Sequence, residues 1–215
     1  MKQMGLARPG ETLRVLAIGA HSDDIEIGAG GTLLSWIAGG VKLEIDWCVA
    51  GASSAERATE ARASATDFLT GAARADVHLA KFRDGYMIAE RAEVKDWMES
   101  LKKLPNPDVV LVHQSGDAHQ DHRFLSELAW NTFRDHLILE FEIPKWDGDM
   151  GRPNVFVPLT EAVLARKIEL LNKHFLTQRS RAWFDDETFR GLARIRGIEC
   201  RERYAEAFYA RKLML

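Results

Sequence analysis

The sequence predicts an α/β protein of three layers, α/β/α, with helices on both faces of a Rossmann-like, open and mainly parallel sheet. Three observations carry that expectation. Short apolar runs and helix-period segments alternate through the first 135 residues, the order that builds βαβ units. Runs such as "RVLAI" and "DVVLV" are continuous rather than alternating, as strands covered on both faces require. Clusters of histidine and carboxylate follow two of these runs directly, where open parallel sheets place their ligands.

Taken in order, Val15–Ala20 reads as a short buried strand, and 32–38, "TLLSWIA", as the body of a helix closed by Gly39-Gly40. Val41, Leu43, Ile45, Trp47 and Val49 then alternate with Lys42, Glu44, Asp46 and Cys48, a half-buried strand. Ser53 or Ser54 can cap an alanine- and charge-rich helix from about 55 to 69. A strand near 77–79, the loop "KFRDGY" and a helix over about 92–104, stopped by Pro105, come next. The strand "PDVVLVH", the loop "QSGDA" and a helix from about His122 to Phe133 follow, then the strands "LILEFEI" and "NVFVPL". Thr160 is a good N-cap for a helix reaching about His174.

With 215 residues and no compositional break, linker or repeat, the expectation is one domain over 1–215. No apolar run approaches the length of a membrane span, and the N-terminal segment has no apolar signal core, so a soluble cytoplasmic protein is the default expectation. The two cysteines, Cys48 and Cys200, lack CxxC spacing, which leaves nitrogen and oxygen as metal donors. Residues 179–215 hold nine Lys/Arg against six Asp/Glu within a chain of net charge −3. No aromatic-interleaved basic stripe accompanies that asymmetry, so a salt-bridged surface explains it better than nucleic-acid binding.

The first charged cluster is "GAHSDDIEIGAGG" over 19–31, and the second is "GDAHQDHR" over 116–123. Each lies just past a strand and at the start of a helix, so the two can converge on one site. His21 and Asp24, at i and i+3, together with a distant histidine make a nitrogen/nitrogen/oxygen set suited to Zn²⁺, with a fourth position left for water. A lone HxxD is ordinarily a surface or capping pair, and Asp23 or Asp24 could simply cap the next helix. Two such clusters after two strands are much harder to assign to capping. The glycines of "GAGG" come too far past the strand for a dinucleotide fingerprint and read as close helix packing or a ligand-facing turn.

"AHSDDIEIGAGGT" resembles the "HPDDxExGxGGT" signature of the PIG-L/LmbE-like zinc-dependent N-acetylglucosaminyl deacetylases, and "HQDHR" resembles their downstream "HPDHR". Arg57 and Glu60, "FRDGY", "EIP", "NVFVPL" and "RGIECRERYAEAF" extend the similarity over most of residues 12–209. Ser22 and Gln120 depart from it, each standing where the family commonly has proline; neither position supplies a ligand, so loop rigidity is what the change affects.

The resemblance implies an LmbE-like fold and the following roles. His21, Asp24 and His122 bind zinc, with Fe²⁺ or Co²⁺ as alternative metals. Asp23 is the general base, His119 holds the oxyanion, Asp121 orients His119, and Arg57 and Asp84 contact substrate. It implies hydrolysis of the acetamide of a GlcNAc-type amino sugar, free or linked to a nucleotide or carrier, and a possible homo-oligomer. Two other readings stand beside it: an amidase for a larger sugar-linked amide, and a non-catalytic binding module of the same fold. Among the remaining residues, Glu26 reads as supporting a loop or ligand, and Arg57 alternatively as a partner of Glu60 or Glu56 on its own helix. His113 reads as a satisfied core histidine or a neighbour of the site. Most tryptophans read as core, while Trp146 and Trp183, in loop-rich segments, could wall a sugar pocket.

Overall fold

Continuous apolar runs make central strands and the amphipathic segments between them make the covering helices. The computed structural model describes residues 3–214. In chain order the elements are β1 (Thr12–Gly19), α1 (Asp24–Ala38), β2 (Lys42–Val49), α2 (Ala55–Phe68), β3 (Arg74–Leu79), α3 (Arg91–Ser100), β4 (Val109–His113), α4 (Gln120–Thr132), β5 (Leu137–Phe141), β6 (Val155–Leu159), α5 (Glu161–His174), α6 (Asp186–Cys200) and β7 (Tyr204–Tyr209). The seven strands form one sheet in the order β3-β2-β1-β4-β5-β7-β6. The first five are parallel, and β7 runs antiparallel between β5 and β6. This is the three-layer α/β/α architecture expected from the alternation.

Period-two alternation divides each strand between two cores. Val15 and Ala17, Ile45 and Trp47, Val109 and Leu111 pack with Ile25, Phe68, Leu164 and Phe189 beneath α1, α2, α5 and α6. Leu16 and Ile18, Cys48, Val110 and Val112 face the opposite side, against Val94, Met98, Phe124 and Leu125 of α3 and α4. The capping expectations hold at Ser54, which accepts from Arg57 N at 3.1 Å, and at Thr160, which accepts from Val163 N at 3.2 Å.

Helix α1 starts at Asp24, well before the apolar body read from the sequence, and its first ten residues, Asp24 to Leu33, are buried. Its glycines permit that depth. A Cβ at Gly30 would stand 2.6 Å from the Phe68 ring, and one at Gly31 would stand 2.7 Å from Leu159. "GAGG" is therefore a packing face. A buried ion pair crosses the same face: Lys167 Nζ donates to Glu206 Oε1 and to the Ile27 carbonyl, both at 2.6 Å. Glu206 in turn accepts the N–H groups of Gly31 and Thr32, at 2.8 and 2.6 Å. Helix α6 and strand β7 are the elements that sequence periodicity left unassigned. Among the described residues, no helix is long and apolar enough to cross a membrane.

The strand order reverses between β1 and β4, whose neighbours extend in opposite directions, the switch point at which open parallel sheets place their ligands. Both charged clusters sit at that switch point.

Candidate active site

His21 follows β1, Asp24 opens α1, and His122 lies in the first turn of α4. Their donor atoms form a small triangle. His21 Nδ1 is 3.2 Å from His122 Nε2 and 3.3 Å from Asp24 Oδ2, and His122 Nε2 is 3.5 Å from Asp24 Oδ2. Three tetrahedral ligands with bonds of about 2.0–2.1 Å stand roughly 3.4 Å apart, so the donor set has both the chemistry and the span of a zinc site with one open position. The three residues expected as ligands are thus brought together.

The surroundings set their protonation. Burial, reinforced by His113, pushes His122 down to about 3, leaving a neutral imidazole. Its Nδ1 donates to Asp117 Oδ2 at 2.9 Å, which turns the Nε2 lone pair toward Asp24 and His21. Burial would raise Asp24, but His122, His113 and His21 together hold it well below the carboxylate range. Burial would lower His21, yet Asp24, Asp121 and Asp84 raise it well above the ordinary histidine value. A cation at Nδ1 would take over the role of that positive charge. His21 Nε2 lies 2.9 Å from Asp84 Oδ1 and 3.5 Å from Asp121 Oδ2, a carboxylate support that leaves Nδ1 for a metal.

Other groupings of donors overlap this one, among them His21–His119–His122, Asp24–His113–His122 and His21–Asp84–Asp121. His113 is the less available ligand, because its Nε2 already accepts the Ala20 N–H at 2.9 Å. Its ring lies flat on His122, with centroids 3.8 Å apart and planes at 14°. It is a buried wall of the site, 3.1 Å from Asp24 Oδ2.

Asp23 sits at the N-cap of α1 without capping it, so its carboxylate is available. Burial raises its pKa and the Arg57 guanidinium opposes that rise, with Nη2 2.5 Å from Asp23 Oδ1. Arg57 Nη1 donates to Glu60 Oε2 at 2.8 Å and to Thr177 Oγ1 at 3.0 Å. The guanidinium therefore serves both the helix-internal pairing and the site. Asp84, whose side chain is 70% exposed, stands at the mouth. The turn that carries it requires Gly85, at φ +75°.

His119 caps α4 and its ring lies 4.8 Å from His21 and 4.5 Å from His122, centroid to centroid. Burial and the neighbouring His21 lower its pKa. Asp121 does not grip this ring. Its carboxylate accepts the N–H of Gly85 at 2.6 Å and of Met87 at 3.3 Å and faces His21, while His119 Nδ1 accepts from the Asp121 backbone N–H at 3.3 Å. Placement in the first turn of α4 points the carboxylate at the loop that carries Asp84.

Asp117 and Lys145 are members of the site that the sequence did not single out. Lys145 Nζ is 2.9 Å from both Asp117 Oδ1 and Asp149 Oδ2, and it joins His122, through Asp117, to the loop after β5. Glu26 is buried with neither oxygen partnered, and burial pushes its pKa well up, which suits a neutral acid beneath the site.

The chain is similar to known proteins in sequence family and in fold. A family model described as PIG-L, GlcNAc-PI de-N-acetylase, matches residues 16–133. No curated protein matches the chain. Among solved structures, the N,N′-diacetylchitobiose deacetylase of Pyrococcus horikoshii is 22% identical, with a TM-score of 0.69 over 92% of this chain and 83% of that one. The 4-carboxy-2-hydroxymuconate hydratase GalB of Pseudomonas putida KT2440 is 18% identical, with a TM-score of 0.72 over 94% and 98%. A teicoplanin deacetylase in a zinc-inhibited form is 14% identical, with a TM-score of 0.67 over 92% and 97%. These likenesses establish the LmbE-like fold. Because the family match spans more than half of the sequence and contains both charged clusters, the chain belongs to the PIG-L, or GlcNAc-PI de-N-acetylase, family.

Proposed function

We propose that the protein is a metal-dependent N-deacetylase that hydrolyses the acetamide of an N-acetylated amino sugar, releasing acetate and the free amine. The observation that carries this reading is the triangle of His21 Nδ1, Asp24 Oδ2 and His122 Nε2, with sides of 3.2, 3.3 and 3.5 Å, next in sequence to the buried Asp23 carboxylate that Arg57 holds. Held there, Zn²⁺ would polarise a carbonyl and lower the pKa of water from about 15.7 toward 7. Fe²⁺ or Co²⁺ suits the same donors.

The chain's own groups supply the rest. Asp23, held by Arg57, accepts the proton of the attacking water. His119, at the more open side, donates to the carbonyl oxygen as negative charge develops on it. The C–N bond then breaks, and the amine leaves with a proton returned by Asp23 or His119. Asp117 keeps His122 in its ligating tautomer, and Asp121 supports His21 rather than His119. Asp84 accepts from a sugar hydroxyl at the mouth, and Arg57 acts chiefly as a positioning residue because its hydrogen bonds run to protein groups.

The family and the deacetylases among the structural neighbours support this reaction. The hydratase of the same fold defines the competing one, in which base and cation add water across a carbon–carbon double bond. Incubation with N-acetylglucosamine, N,N′-diacetylchitobiose and a conjugated hydroxydiene acid separates the two. Acetate and amine appearing together support the deacetylase. Loss of diene absorbance without acetate supports the hydratase.

A further inference from the structure

Two loops flank the site, and each is tied to a different end of it. The loop after β5 is anchored by Lys145, whose ammonium lies 2.9 Å from Asp117, the carboxylate that holds His122. It is anchored again at Asp149, whose Oδ2 accepts the Ala118 N–H at 2.6 Å. The segment after α5 is anchored on the opposite side. Thr177 N donates to Glu60 at 3.0 Å, and Thr177 Oγ1 accepts from Arg57, which holds Asp23. The two loops meet through Trp146 and Trp183, edge to face, with centroids 6.4 Å apart. Trp183 packs on Phe184 at 5.7 Å, so it has a backing. Trp146 is 64% exposed although its flanking anchors, Lys145 and Asp149, are largely buried. A loop pinned on both sides holds this ring in one place with its surface open to solvent.

We propose that Trp146, braced by Trp183, is a sugar platform that determines specificity. It receives the pyranose ring next to the acetamido sugar, so the preferred substrates are oligosaccharide-type and not single N-acetylated sugars. This rests on the deacetylase reading and names its substrate class. A pyranose presents an apolar C–H face and a hydroxyl rim. An exposed indole matches the face, and a carboxylate-bearing mouth such as that at Asp84 matches the rim. A fixed ring also gives contact area with little ordering entropy.

The test compares kcat/KM for N,N′-diacetylchitobiose and N-acetylglucosamine in the wild type, Trp146→Ala and Trp146→Phe, with calorimetric titration of the disaccharide alongside. The wild type should favour the disaccharide. Trp146→Ala should reduce that preference about tenfold, chiefly through KM, and Trp146→Phe should restore most of it. Turnover of both sugars with an unchanged ratio in Trp146→Ala overturns the platform and leaves the deacetylase standing. Turnover of neither sugar overturns the deacetylase reading. The platform then survives only if the disaccharide binds and Trp146→Ala weakens that binding about tenfold. A variant that changes only the oligomeric state, with sugar binding intact, assigns Trp146 to a protein contact and overturns the proposal.

Discussion

Arg57 Nη2 lies 2.5 Å from Asp23 Oδ1, and the same guanidinium spans Glu60 and Thr177. The carboxylate proposed as general base is thereby fixed by a planar fork rooted in α2. A fork makes simultaneous contacts that an ammonium cannot reproduce.

Arg57→Lys should therefore keep the positive charge yet lower kcat by about 10- to 100-fold with little change in KM, because the orientation of the base is lost rather than a hold on substrate. Steady-state kinetics on an acetamido sugar check this. A rise in KM with kcat intact assigns Arg57 to substrate binding.

Metal content should follow the triangle and its support. Asp24→Asn and His122→Ala each remove one of the three proposed ligands and should abolish stoichiometric zinc. Asp117→Asn, which leaves every ligand in place, should weaken zinc about 10- to 100-fold. Elemental analysis and competition with a chelating dye read both effects. Full zinc affinity in Asp117→Asn would remove Asp117 from the site.

Stability depends on the pair buried across α1. Lys167→Met leaves Glu206 charged and without its ammonium in the core and should cost about 3–5 kcal/mol, while Lys167→Met/Glu206→Gln should regain part of that loss. Urea denaturation of both variants measures it. Equal losses in the two variants would show that the carboxylate is not the source.

Asp46, on β2, gives a pH test outside the candidate site. Burial would raise its pKa, but hydrogen bonds from Arg74, at 2.7 Å, and His78, at 2.9 Å, bring it below the ordinary value. A depressed folded pKa stabilises the protein above the unfolded value of about 3.9, and that contribution disappears as pH falls through the folded pKa. Asp46→Asn should thus be less stable by about 2 kcal/mol at pH 7. The gap should persist to about pH 4 and close only below it. A gap independent of pH down to acid unfolding contradicts the assignment.

The parallel half of the fold was legible because the runs of β1 and β4 are continuously apolar, β2 alternates cleanly and α2 carries the Ser54 cap; the Thr160 cap marked α5 in the same way. The C-terminal part was not. Strand β7 places Glu206 on a buried face, so polar–apolar alternation fails there, and α6 contains Gly191 and Gly197, which speak against a helix locally. At Gly197 the reason is tertiary: a Cβ would stand 2.6 Å from the Arg203 carbonyl oxygen. That His21, Asp24 and His122 come together was legible from two motifs. His113 was legible as either a core histidine or a neighbour of the site, and its stacking on His122 makes it the neighbour; Asp117 was not singled out, since its bridge to Lys145 joins loops on either side of α4 and β5. The resemblance assigned Asp121 to His119, whereas the turn of α4 sends its carboxylate to the Gly85 and Met87 N–H groups and toward His21.

The most direct measurement is zinc content and kcat on the same preparation of Asp23→Asn. The substitution is nearly isosteric and removes the proposed base while leaving His21, Asp24 and His122 untouched. The predicted result is wild-type zinc stoichiometry and fold with kcat lower by about 10²- to 10⁴-fold. Loss of zinc from Asp23→Asn with retention in Asp24→Asn, or undiminished turnover of an acetamido sugar, would contradict the account.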